Sequence, residues 1–180
     1  MKKILAILLC AMLLMGIAGA ETASDKIHLY FNPELSFDVQ IPEGYTAENE
    51  LVREYLLLRI KPEDPDGILY IMTVNEDDSM PDEINTLNDL SEEDLKLYAE
   101  NCVEDDPDMA YEIRETGLGT KLVLVKNEND PYAFIFAYYH GYSINFQMYR
   151  QGESAAPITE EDINAALAFN TNFDFIFTEK

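Results

Sequence analysis

Two eight-residue runs, Tyr132–Tyr139 and Tyr142–Tyr149, are joined by His140-Gly141 alone, and no other feature of the chain narrows its fold as much. Both runs are rich in aromatic and branched residues, and a two-residue connection containing a glycine that can take positive φ is the mark of a tight hairpin. Such a loop sets the register. Tyr139 faces Tyr142, Ala137 faces Ile144, Ile135 faces Phe146 and Ala133 faces Met148, so these eight side chains share one face. That face is core, and small residues on one strand opposite large ones on the other predict a helix lying across it. The reverse face sets Tyr132, Phe134, Phe136 and Tyr138 against Tyr149, Gln147, Asn145 and Ser143, half aromatic and half polar.

The rest of the chain is read around this hairpin. Ile27–Phe31 and Leu35–Ile41 flank Asn32-Pro33 and alternate with period two before a turn at Pro42-Glu43-Gly44. Tyr55–Ile60 and Ile68–Val74 flank a segment dense in turn formers, and Tyr111–Glu115 and Thr120–Lys126 flank Gly117-Leu118-Gly119, which gives two further hairpins. Ser91 stands three before Asp94 as a cap, with Leu95, Tyr98 and Cys102 at helical spacing, so a helix is expected from Glu92 to about Val103. Thr159 caps a second helix whose first turn carries Glu160, Glu161 and Asp162, where the helix dipole favours acids. Phe173, Phe175 and Phe177 then alternate as a short closing strand. Hairpins interrupted by two helices predict an α+β domain, a mostly antiparallel sheet with a helix on each face.

The amino terminus reads as an export signal. Lys2 and Lys3 precede an apolar run from Ile4 to Met15, and Gly16-Ile17-Ala18-Gly19-Ala20 ends in a small-x-small pattern, so residues 1–20 are expected to be removed. Residues 21–26 would follow as a flexible tail and 27–180 as a single domain. No transmembrane span is expected once the signal is gone. Cys10 falls inside the signal, which leaves Cys102 without an intramolecular disulfide partner in an oxidising compartment.

Charge narrows the function classes. Against 12 Lys and Arg stand 35 Asp and Glu, a net −23, and removal of the signal takes away two lysines and no acid. Nucleic-acid binding needs clustered cations to neutralise phosphates and is excluded on that ground. The partners that fit are neutral or basic: an extracytoplasmic protein, or a neutral or basic ligand.

Ser36-Phe37-Asp38-Val39-Gln40-Ile41-Pro42-Glu43-Gly44-Tyr45, the central hairpins, and a closing Ile163-x-x-Ala166-Leu167-x-Phe169-x-x-x-Phe173-x-Phe175 together resemble the PsbP-like superfamily, although Asn172 stands where that family often has Ser. The family includes extrinsic photosystem proteins, a Ran-binding import factor and many secreted bacterial proteins. The resemblance implies an α-β-α sandwich and a non-enzymatic role in binding or assembly, and it carries over no catalytic or metal-binding residue.

Among chemical candidates, Cys102 and His140 could form a thiol–imidazole pair, but one falls on an apolar helix stripe and the other in a hairpin turn. The acidic clusters Glu63-Asp64-Asp66, Glu76-Asp77-Asp78 and Glu104-Asp105-Asp106-Asp108 offer oxygen ligands suited to calcium but lack EF-hand spacing, so no cofactor is expected beyond calcium as a candidate. The sharpest candidate for partner binding is the strip Tyr132, Phe134, Phe136 and Tyr138 with Asn145 and Gln147. Left open, it is a partner surface, and covered by a helix it is core. The sequence thus points to a secreted binding protein without catalytic activity. The alternative is an extracellular hydrolase with a carboxylate site, which requires a pocket holding carboxylates of displaced pKa.

Overall fold

A computed structural model describes residues 25–30, 35–52, 55–103, 108–152, 155–168 and 176–177. The expected signal (1–20), Phe173, Phe175 and the acids Glu104, Asp105 and Asp106 lie outside these. Among the described residues no helix is long and apolar enough to cross a membrane.

The strands are β1 (Asp25–Tyr30), β2 (Leu35–Ile41), β3 (Tyr45–Val52), β4 (Tyr55–Pro62), β5 (Ile68–Glu76), β6 (Ala110–Glu115), β7 (Lys121–Lys126), β8 (Tyr132–Tyr139), β9 (Tyr142–Arg150) and β10 (Ile176–Phe177). Among the described residues there are also two α-helices, α1 (Glu92–Asn101) and α2 (Glu160–Ala168), and a 3₁₀ turn at Leu87–Asp89. β1 begins at Asp25, two residues inside the expected tail.

Seven strands form one antiparallel sheet in the order β3-β4-β5-β9-β8-β7-β6, and β1-β2-β10 form a second, also antiparallel. The chain lays down β3, β4 and β5 from one edge, crosses through α1 to the far edge, and returns through β6, β7 and β8 so that β9 closes against β5. The β8–β9 hairpin keeps the expected register from Tyr139↔Tyr142 to Tyr132↔Tyr149. His140 and Gly141 both take positive φ, 45° and 86°, the backbone of a type I′ turn, whose twist matches that of the strands.

One face of the large sheet is closed over its central strands, while Leu51 and Asn49 on β3 and Glu112 on β6 stay exposed at its edges. Ile135, Ile144, Phe146 and Met148 on it share a core with Leu58, Ile60 and Met72, with Leu29, Phe37 and Val39 of the second sheet, and with Ile163 and Ala166 of α2. α2 starts where the sequence places it, with Asp162 N–H donating to Thr159 Oγ1 (3.3 Å) and Thr159 N–H donating to Asp162 Oδ2 (2.8 Å). Arg150 Nη2 binds the same carboxylate at 2.6 Å, and Arg114 and Lys126 each reach Glu160 at 2.8 Å, which ties the helix to β9, β6 and β7.

The expected α-β-α sandwich is overturned. The protein is a β-rich, mostly antiparallel fold in which a second β-sheet and α2 together cover the closed face. On the other face α1 lies over the edge strand β6, and its Leu95 and Ala99 join a cluster with Val123 and Val125 of β7 and Tyr138 of β8. The reason is size. A ten-residue helix is about 15 Å long and about 10 Å across, whereas seven strands span roughly 29 Å, so neither described helix can form a layer alone. Where the sequence implies one sheet, the structure sets β1 and β2 in a second sheet and adds β3 at the edge of the first.

Candidate functional site

Continuous strand pairing aligns the outer-face residues of the large sheet in rows. One row runs Arg59, Ile71, Gln147, Phe134 and Val125, and the next runs Leu57, Thr73, Asn145, Phe136 and Val123. Each row passes from fully buried to partly buried. At the β7 end Val123 and Val125 are buried with Tyr138, Leu87, Leu95 and Ala99 in a second core cluster. At the β5 and β4 end Ile71, Thr73, Leu57 and Arg59 are half-buried, while the cover on this face, α1 and the 3₁₀ turn, packs on β6, β7 and β8.

The six candidate residues fall along this gradient. Tyr138 is only 3% exposed and belongs to the second core. Phe136, Phe134 and Tyr132 are half-buried and pack against it. Phe134 lies 6.4 Å from Phe136, 5.7 Å from Tyr132 and 6.1 Å, edge-on, from Tyr149, so the rings form one continuous strip toward β9. Gln147 Oε1 accepts from the Tyr149 hydroxyl at 2.7 Å. Asn145 Oδ1 is buried and lacks a hydrogen-bond partner among the described residues. The strip is therefore neither wholly core nor wholly open, and the division runs across it.

A second feature lies at the closed end. The loop after β5 stands away from α1 and leaves a cleft of about 520 Å³, lined by the partly buried Met80, Ile84, Leu90 and Tyr98 and by the exposed Leu97, Glu83, Asp89 and Asp94. An adjoining hollow of about 320 Å³ shares Met80 and Ile84 and adds Asp77, Asp78 and Asp82, with Tyr138 and His140 as its wall. Neither is lined by a Lys or Arg. The loop is held by local bonds: Ser79 N–H donates to Asp77 Oδ1 (2.9 Å), and Asn85 and Thr86 N–H both donate to Asp89 Oδ2 (2.9 Å). Its end is stitched to the β8–β9 turn, where Asp77 N–H donates to Gly141 O (2.8 Å) and His140 N–H donates to Asn85 O (2.7 Å).

No family model, curated protein or solved structure matches this chain.

The remaining candidates have structural roles. Cys102 caps α1, and burial pushes its thiol up to about 12, away from the thiolate that a nucleophile needs. Burial, followed by the charge of Asp77, raises the Tyr138 hydroxyl, and burial does the same for Tyr98. Among the described residues no group of three or more His, Cys, Asp or Glu is placed to hold a metal ion. Among the described residues three carboxylates are displaced, all downward: Glu48 by the hydrogen bond and charge of Lys61, Glu160 by bonds from Lys126 and Arg114, and Asp162. For Asp162 burial acts upward, but bonds from Thr159 and Arg150 outweigh it. None of the three lines the cleft or the hollow.

The cleft was not foreseen, but it had a signal. Leu97 falls off the Leu95–Tyr98–Cys102 stripe of α1, and Met80 and Ile84 are apolar residues within an acidic loop. The structure leaves Leu97 56% exposed at the mouth of the cleft.

Proposed function

We propose that this protein is exported and works by binding, docking an extracytoplasmic protein partner on the open part of its outer sheet face. The observation that carries the reading is the fall-off of cover along the rows: Leu57 and Ile71 present partly buried apolar surface near Gln147, away from β6, β7 and β8, on which α1 and the 3₁₀ turn pack. Aromatic and aliphatic surface interspersed with amide groups is the make-up of protein interfaces. The displaced carboxylates also favour binding over hydrolysis, since all three are lowered by cations or hydrogen-bond donors, whereas a general acid needs its pKa raised.

The test is a crosslinking pull-down of the protein from its host's envelope and secreted fractions, with Ile71→Asn as the comparison. A stoichiometric partner that is lost with Ile71→Asn, while the melting temperature holds, supports the reading. A partner captured equally by both proteins, or turnover of a substrate with no partner at all, refutes it.

A further inference from the structure

We infer that the cleft between the loop after β5 and α1 receives a lysine- or arginine-bearing apolar segment of another polypeptide, at a site separate from the outer sheet face. The floor comes first. Met80, Ile84 and Tyr98 make an apolar base, and Leu97 stands 56% exposed at its edge, an aliphatic side chain that the fold itself does not use. At about 520 Å³ the cleft falls within the size range of ligand sites.

The rim supplies charge of one sign. Asp78, Asp82 and Glu83 border the cleft or the adjoining hollow, and no hydrogen bond or ion pair holds them among the described residues. Asp77 and Asp89, in contrast, are occupied in shaping the loop. Carboxylates spread along a rim with no cation among them, and not gathered closely enough to hold a metal ion, suit several spaced cations carried on one chain. An apolar floor beneath them requires apolar side chains between those cations. A free polyamine satisfies the rim but not the floor. A purely apolar peptide leaves the rim without a partner. The net charge of −23 would draw a cationic segment in from a distance.

The experiment titrates the purified protein with a short fluorescein-labelled peptide of alternating Lys and Leu, and with versions carrying Ser for Leu or Glu for Lys. Expected are saturable binding of the Lys-Leu peptide that weakens roughly tenfold as salt rises from about 50 to about 300 mM, and little binding of either control. Leu97→Ser and the pair Asp82→Asn with Glu83→Gln should each weaken it several-fold at unchanged melting temperature, since all three side chains lie at the surface. Ile71→Asn should leave it unchanged, which separates this site from the outer sheet face. Equal binding of the Ser version, equal competition by spermidine, or indifference to Leu97→Ser would show attraction to bulk charge alone and overturn the inference.

Discussion

The two faces of the seven-stranded sheet are made from the same strands, yet one is sealed across its central strands and the other only toward its β7 end. On the inner side Ile135, Ile144, Phe146 and Met148 are at most 1% exposed beneath the second sheet and α2. On the outer side their strand neighbours Phe134, Phe136, Asn145 and Gln147 are half-buried, and only Val123, Val125 and Tyr138 reach core burial. Strand alternation decides which residues share a side. The area of the covering layer decides how many of them leave water, and a sheet covers where a short helix cannot.

Substitutions ordered along this contrast should differ in cost. Phe146→Ala, which opens a cavity in the sealed core, should lower stability by about 3–5 kcal/mol in urea unfolding. Phe136→Asp places a charge against Val123 and Tyr138 at the boundary and should cost about 2 kcal/mol. Ile71→Asn on the open part should cost less than about 1 kcal/mol. If Ile71→Asn matched Phe146→Ala, the outer face would be as closed as the inner one, and the contrast would be lost.

The inner cover also depends on pH. The lowered pKa values of Asp162 and Glu160 mean that their contribution is present above the unfolded carboxylate range, about 3.9 to 4.3, and is lost as pH falls through the folded values. Acid should therefore loosen α2 from β9 before it affects the outer face. Asp162→Asn should cost about 1 kcal/mol at neutral pH, the size of a lost helix cap, and should flatten the dependence of stability on pH below about 4. An unaltered acid slope in that variant would remove Asp162 from the account.

The smallest effect expected is on stability at the cleft. Leu97→Ser should leave the unfolding midpoint unchanged, because the side chain it removes is mostly in water.

Legibility followed the range of the interactions. The β8–β9 register and the caps at Ser91 and Thr159 could be read because each is set within a few residues. β3 escaped because Glu48, Asn49 and Glu50 break its alternation; it is an edge strand, where charges keep other chains from pairing. Of the six candidate site residues, Tyr138 proved to be core, and the others lie where the cover ends. Nothing near Tyr138 in the sequence distinguishes it from Tyr132, because the difference is the 3₁₀ turn at Leu87–Asp89 folding back onto β8.

The sequence by itself determined the local facts: most of the strands but not β3, which side of the β8–β9 hairpin each residue faces, where the helices begin, and that the chain is strongly acidic. These follow from backbone sterics, side-chain alternation and capping, all short-range. The tertiary structure alone decided that β5 pairs with β9, Ile68 opposite Arg150, and that β1 and β2 leave the main sheet to cover it. It also decided that the loop after β5 stands off α1 to leave a cleft. Each of these depends on whether distant surfaces have the area and shape to bury one another, a property of pairs of elements that no single segment carries.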